Sequence, residues 1–328
     1  MNIISTVGYG HSGSSAVLDL LKEIDNIHVI NAEADFIRRS GGFYDIGEKF
    51  KSRNKATFNK AIRDFYLLID FFYKEYINEI CNKSEIEEFR NICNNFIENI
   101  TSLKIKTKIE ASLFGNGHVA NSKIINHFKN IIELRCNFKK KPKIIRELLR
   151  IKSQIYRFLL SKKTYDEEIF LHKFLYLQKD ISYQEYLKIA QESIESLIKA
   201  LLDKNIEKKY IALDQILPDT LKHTLHCLEY FNDIKIISVY RDPRDSYVQS
   251  LDLNAEWMFS NTVENFIDFY RYNNFLEIDD KRVLHIRFED LVVNYDKTTK
   301  IIYDFLNISK DNNIYQKKYF NPEESKKI

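Results

Sequence analysis

The sequence predicts an α/β fold: a parallel sheet of about five strands with helices on both faces, interrupted by a large helical insertion. Three observations predict it. Short apolar, β-branched runs stand near both ends of the chain, helical periodicity fills the middle, and helices alternate with strands wherever strands occur. Such alternation builds a parallel sheet, because each parallel crossover needs a connecting segment long enough to hold a helix.

The elements follow in order. Residues 2–8, NIISTVG, read as a buried strand, and residues 14–23 as the helix after it, with Ala16, Val17, Leu20 and Leu21 on one apolar face. Residues 26–31, NIHVIN, form a second strand. From residue 55 to about 205 the pattern is almost all helix, with capping boxes at Ser84/Glu87 and Ser182/Glu185 and an apolar stripe of Phe65, Leu68, Ile69, Phe72 and Tyr76. Strands return at residues 209–215, 234–240 and 281–288, separated by helices at 219–230 and 263–275 and followed by one at 296–306. The expected organisation is a single domain, 1–328, with a core of residues 1–50 and 206–328 and a helical insertion at 51–205.

Composition narrows the function. A net charge of +3 makes the chain no polycation, so anion binding is local and no nucleic-acid partner is expected. The 4 cysteines show no CxxC and no Cys/His ligand spacing, so they read as free thiols in a reducing compartment, and no metal site is expected. The absence of a signal peptide, or of an apolar run near the ~20 residues that span a bilayer, leads to the expectation of a cytoplasmic protein. Abundant Lys, Asn and Ile hint at an AT-rich genome.

The chemistry begins at residues 7–21, VGYGHSGSSAVLDLL. Gly8-x-x-x-x-Gly13-Ser14-Ser15 has the spacing of a phosphate loop, or is a strand–helix turn whose small residues serve packing; as a phosphate loop it predicts a three-layer P-loop fold for the core. Ser14 replaces the lysine that kinases use on the β/γ-phosphates, yet backbone amides and a helix N-terminus still suit a phosphate. His11 lies in the loop as either a donor to that anion or a solvated surface residue. The second half is IKIISVYRDPRDSYVQS, residues 234–250, where a strand delivers Arg241 at the sheet edge that binds ligands in open α/β folds. Arg241 and Arg244 either grip a phosphate or pair with Asp242 and Asp245 on a surface turn.

With both loops, the chain resembles the sulfotransferases that use 3′-phosphoadenosine-5′-phosphosulfate (PAPS). Their first loop reads G-x-P-[KR]-x-G-[TS]-[TS], which residues 8–15 follow with Gly10 and His11 as departures. Their R-[DN]-P-x-[DE] matches residues 241–245. LHIRFEDLVVNYDKTTKIIYDFLNI, residues 284–308, is similar to their strand–YEDL–helix–FLGI segment, and YFNPEESKKI at 319–328 to the approach to their last nucleotide loop. The resemblance spans residues 1–47 and 209–328 but not the helical middle.

It implies roles. Loop amides with Gly10, Ser12, Gly13, Ser14 and Ser15 would hold the 5′-phosphate, and His11 would neutralise charge at the breaking S–O bond. Arg241 would clamp the 3′-phosphate. The family's serine eight positions later is Gln249 here, with Ser250 one further on, and either could assist. The catalytic base would be Glu33, eight residues before the Gly41–Gly42 pair, with Asp35 or a histidine as the alternative, or Glu33 is a loop carboxylate paired with Arg38 or Arg39. Ser325, Lys326 and Lys327 either reach the 3′-phosphate or form a solvated tail. The product would be 3′,5′-adenosine bisphosphate (PAP). Magnesium is not required, since a sulfuryl group carries less charge than a γ-phosphate.

The insertion is expected to build the acceptor pocket for a hydroxyl group, on a carbohydrate of a surface polysaccharide or a glycolipid. Residues 137–163 form a basic amphipathic stretch that could contact an anionic membrane peripherally or simply be a core helix with a solvated face. His118 either lines the pocket or is an ordinary loop histidine. Two other functions stay open: a P-loop kinase or phosphotransferase, with Asp214 its candidate metal-holding aspartate, and a non-catalytic nucleotide-binding homologue.

Overall fold

The computed structural model describes residues 2–33, 36–72, 83–106, 174–202, 208–216, 227–273 and 280–325. Its centre is one five-stranded sheet with every neighbouring pair parallel. The strands are β1 (Asn2–Val7), β2 (Ile27–Glu33), β5 (Tyr210–Asp214), β6 (Ile234–Tyr240) and β7 (Val283–Arg287), in the spatial order β2-β5-β1-β6-β7. All five lie where the apolar runs predict them.

Alternation along these strands makes two cores. Ile3, Ile211 and Ile236 face one side, while their chain neighbours Ile4, Ala212 and Ile237 face the other. On the second side pack α1 (Ser14–Lys22), α8 (Phe288–Val293) and α9 (Tyr295–Leu306), through Val17, Leu20, Leu21, Leu291, Ile302 and Leu306. The first side is covered by α2 (Phe43–Ser52), α3 (Lys55–Phe72), α4 (Lys83–Ile100) and α5 (Tyr183–Ala200). Phe43, Phe65, Phe96 and Tyr186 are fully buried there, in the same cluster as Ile3 and Ile211. Residues 55–72, 83–100 and 183–200 therefore supply most of this layer, which α2 completes. Helix α5 starts on the Ser182/Glu185 capping box, with both reciprocal hydrogen bonds formed.

Three elements differ from expectation. The middle of the chain is not all helix: β3 (Thr101–Lys106) and β4 (Phe174–Gln178) pair antiparallel. They are short and only half covered, with Leu103, Ile105 and Leu177 exposed, so no buried apolar run announces them. Second, the proline after Asp242 opens a helix, α6 (Pro243–Asp252), rather than ending in a turn. Proline costs nothing at the first helical position, where the N–H has no partner in any case, and the Asp242 side chain caps the Arg244 amide. Third, the helix expected at 219–230 lies outside the described residues up to 226; Cys227 is helical, and the last turn, Leu228–Tyr230, is 3₁₀ rather than α. Helix α7 (Val263–Asn273) and a last short helix, α10 (Pro322–Ser325), complete the described elements. Among the described residues no helix is long and apolar enough to cross a membrane. The basic stretch at 137–163, His118, Asp35, Lys326 and Lys327 lie outside the described residues.

Candidate active site

In a parallel sheet all strands end on the same edge, and here that edge collects the chemistry. Across the sheet order it carries Glu33 at the end of β2, Gln215 after β5, the glycine loop after β1, Arg241 after β6 and Phe288–Glu289 after β7.

The glycine loop turns tightly. His11 and Gly13 both have left-handed backbones, with φ of 60° and 92°. The Ser12 amide donates to Tyr9 O at 3.0 Å, so it is spent inside the turn. In the first turn of α1 the Ala16 amide donates to Gly13 O at 3.0 Å, while the Ser14 and Ser15 amides have no carbonyl one turn earlier and remain donors. No acidic residue stands in that turn, so the partial positive charge of the helix end is unopposed by its own side chains. The Ser14 hydroxyl accepts from Gln215 Nε2 at 3.2 Å, while the same nitrogen reaches Gly8 O at 3.4 Å. Ser14 Oγ therefore keeps its own proton to donate elsewhere. Ser15 is exposed, whereas Ser12 Oγ is buried with no partner among the described residues.

Gly10 and Gly13 are glycine for steric reasons. A Cβ on Gly10 would lie 2.2 Å from Trp257 Cη2, and one on Gly13 would lie 2.3 Å from Phe288 Cδ2. The ring of Phe288 is also 5.1 Å from the Arg241 guanidinium, so one aromatic touches both loops.

Arg241 comes to the loop. Its Nη1 donates to Gln249 Oε1 at 2.6 Å and lies 3.5 Å from His11 O, while Nε is buried without a partner among the described residues. Asp245 stands 4.0 Å from Nε. Of the two residues expected to assist Arg241, Gln249 meets it. Ser250 does not: it is fully buried and donates to Tyr247 O within its own helix at 2.6 Å. Arg244 takes the surface alternative, pairing with Asp242 at 2.6 Å while 87% of its side chain is exposed. That pairing holds the Asp242 carboxyl down at about 2.

Two structural residues went unread in the sequence. The Tyr9 hydroxyl accepts from Arg241 N at 3.0 Å and donates to Arg241 O, tying the first loop to the second through one oxygen. Glu289, in FEDL, accepts from Asp242 N at 2.8 Å and from Arg287 Nε at 3.0 Å. The motif thus braces the turn that presents Arg241. A Tyr in a glycine loop and an acid after a strand are the only sequence signals, and their partners are distant in the chain.

Burial, and secondarily the charge of Arg241, lower the His11 pKa from its ordinary value. His11 Nε2 is buried with no partner among the described residues. Glu33 lies at the end of β2 with its Cα opposite Asp214, after a register shift. Asp214 itself accepts from Thr6 Oγ1 at 3.1 Å.

A family model described as "Sulfotransferase family" matches residues 122–312, which include the Arg241 turn and FEDL. The chain belongs to the sulfotransferase family. The first loop of this sulfotransferase precedes the matched span and is joined to it by Tyr9 and Arg241. No curated protein matches the chain. It is similar to the solved sulfotransferase domain of the Synechococcus PCC 7002 olefin synthase (13% identity, 98% of this chain and 78% of that one, TM-score 0.37). It is also similar to the sulfotransferase domain of the curacin biosynthetic pathway (13%, 98% and 78%, 0.33). A third is a sulfotransferase of Mycobacterium avium (9%, 95% and 66%, 0.33).

Proposed function

We propose that this sulfotransferase moves the sulfuryl group of PAPS to a hydroxyl on a carbohydrate acceptor, releasing PAP. The observation that carries the reading is the approach of Arg241 Nη1 to within 3.5 Å of His11 O, across 230 positions of chain. That approach gives one doubly phosphorylated nucleotide a grip at each end. In this reading the α1 amides and Ser14 hold the 5′-phosphate, and Arg241 with the Gln249 amide holds the 3′-phosphate. The acceptor oxygen attacks sulfur, and the bond between sulfur and the 5′-phosphate oxygen breaks. Glu33 takes the hydroxyl proton. The leaving phosphate gains negative charge, which raises the His11 pKa and lets imidazolium form where charge develops.

The test is thermal stabilisation by PAP against ATP with magnesium, followed by transfer of labelled sulfate from PAPS to a surface-glycan extract. PAP should stabilise strongly, the extract should become labelled, and Arg241→Ala should lose most of the stabilisation. Magnesium-dependent stabilisation by ATP with none from PAP would favour a kinase. PAP binding with no transfer to any glycan would favour a non-catalytic homologue or a different acceptor.

A further inference from the structure

An aromatic shelf flanks the loop at Gly10. Trp257 is 52% exposed, yet its ring edge fills the space over Gly10, and its centroid is 6.1 Å from the His11 ring. Phe269 sits edge-on to Trp257 at 6.4 Å, and Phe259, 58% exposed, tilts against Phe269 at 5.7 Å. Beneath them Ala255, Met258 and Phe266 form a small buried core. Phe259 also holds a left-handed backbone, φ 55°. A bulky residue rarely does so, because its Cβ crowds the following carbonyl. The fold tolerates strain at a residue whose ring it leaves in water, and such strain gathers at functional sites.

The ends of the loop differ. Phe288 adjoins Gly13 and lies under the Arg241 guanidinium, whose Nη1 is 3.5 Å from His11 O, whereas Trp257 adjoins Gly10 and approaches the His11 ring. Under the function proposed above, on which this inference rests, the nucleoside lies toward Arg241 and the transferred group beside His11. A ring on the Gly10 side is then the acceptor's. We infer that Trp257, with Phe259, is the acceptor subsite and stacks against the apolar face of a pyranose ring. A planar phenol would be served best by a closed apolar slot. An open, half-wetted aromatic face suits a sugar, which offers C–H groups on one face and hydroxyls to water on the other.

The chain has 1 tryptophan, so its emission reports on this shelf alone. With PAP saturating, neutral di- and trisaccharides of hexoses and N-acetylhexosamines are titrated into the full chain while emission is read. At least one should shift the emission saturably to shorter wavelength and accept labelled sulfate. Trp257→Ala should then raise its KM by about tenfold while kcat and PAP affinity stay within about twofold, and Trp257→Phe should restore most of it. Met258, not Trp257, is the buried anchor here, so the alanine variant keeps its fold, which a melting curve checks. The inference is overturned if no saccharide moves the emission. It is equally overturned if Trp257→Ala loses PAP affinity by that factor, which would put adenine on the shelf. Failure of PAP to bind the unaltered chain refutes the underlying function, and this inference with it.

Discussion

Tyr9 joins the two halves of the site through a single hydroxyl, which serves both the N–H and the C=O of Arg241. Tyr9→Phe leaves both groups without that partner. It should destabilise the fold by about 1–3 kcal/mol in urea denaturation and weaken PAP binding. His11 gives a pH signature. Its pKa in the free protein is depressed, so the fold favours the neutral ring, and stability should fall as pH drops from 6.5 through the lowered value. A bound dianion raises that pKa, so PAP affinity should rise as pH falls through the bound-state pKa and level off below the free-state one. Calorimetric titration across pH checks this, and His11→Gln should flatten the dependence. Turnover should fall as pH rises through the bound-state pKa, and His11→Lys should remove that fall near neutrality. Residue-level legibility followed helix geometry. Once Pro243 starts a helix, positions 249 and 250 point about 100° apart, so only one of them can face Arg241. Without that helix start, Gln249 and Ser250 were indistinguishable.

Gly13 and Phe288 fix how α1 meets α8 at the site. Gly13→Ala would place a Cβ against the Phe288 ring on a left-handed backbone. It should cost about 1–3 kcal/mol and remove most PAP stabilisation, read by thermal melts with and without nucleotide. The five strands were legible because each carries a short apolar, β-branched run, buried on both faces in β1, β5 and β6 and half-buried along the edge strand β7. The β3–β4 pair was not, because Leu103 and Ile105 alternate with Lys104 and Lys106 on a surface ribbon that follows a long helix directly. FEDL was legible as a motif but not as a brace, since the amide that Glu289 holds is 47 positions away.

At the scale of the molecule, a buried carboxylate closes the C-terminal segment onto the sheet layers. Glu23 is fully buried and accepts from the amides of Lys317, Tyr319 and Phe320, each at 3.1 Å. Glu23→Ala strands those three donors, so it should cost about 2–4 kcal/mol and open residues 313–325 to limited proteolysis. Nothing in the sequence distinguishes Glu23 from a solvated helix-end acid, because its partners come from the far end of the chain. The order of the strands carries one more consequence. The strand of this sheet that is synthesised earliest occupies its middle, flanked by β5 and β6, which are made some two hundred residues later. Nascent β1 therefore waits with both edges unpaired, a state open to chaperones and to wrong partners. Nucleotide grip is acquired late in synthesis, so a nascent chain halted before β6 emerges holds the glycine loop without its clamp.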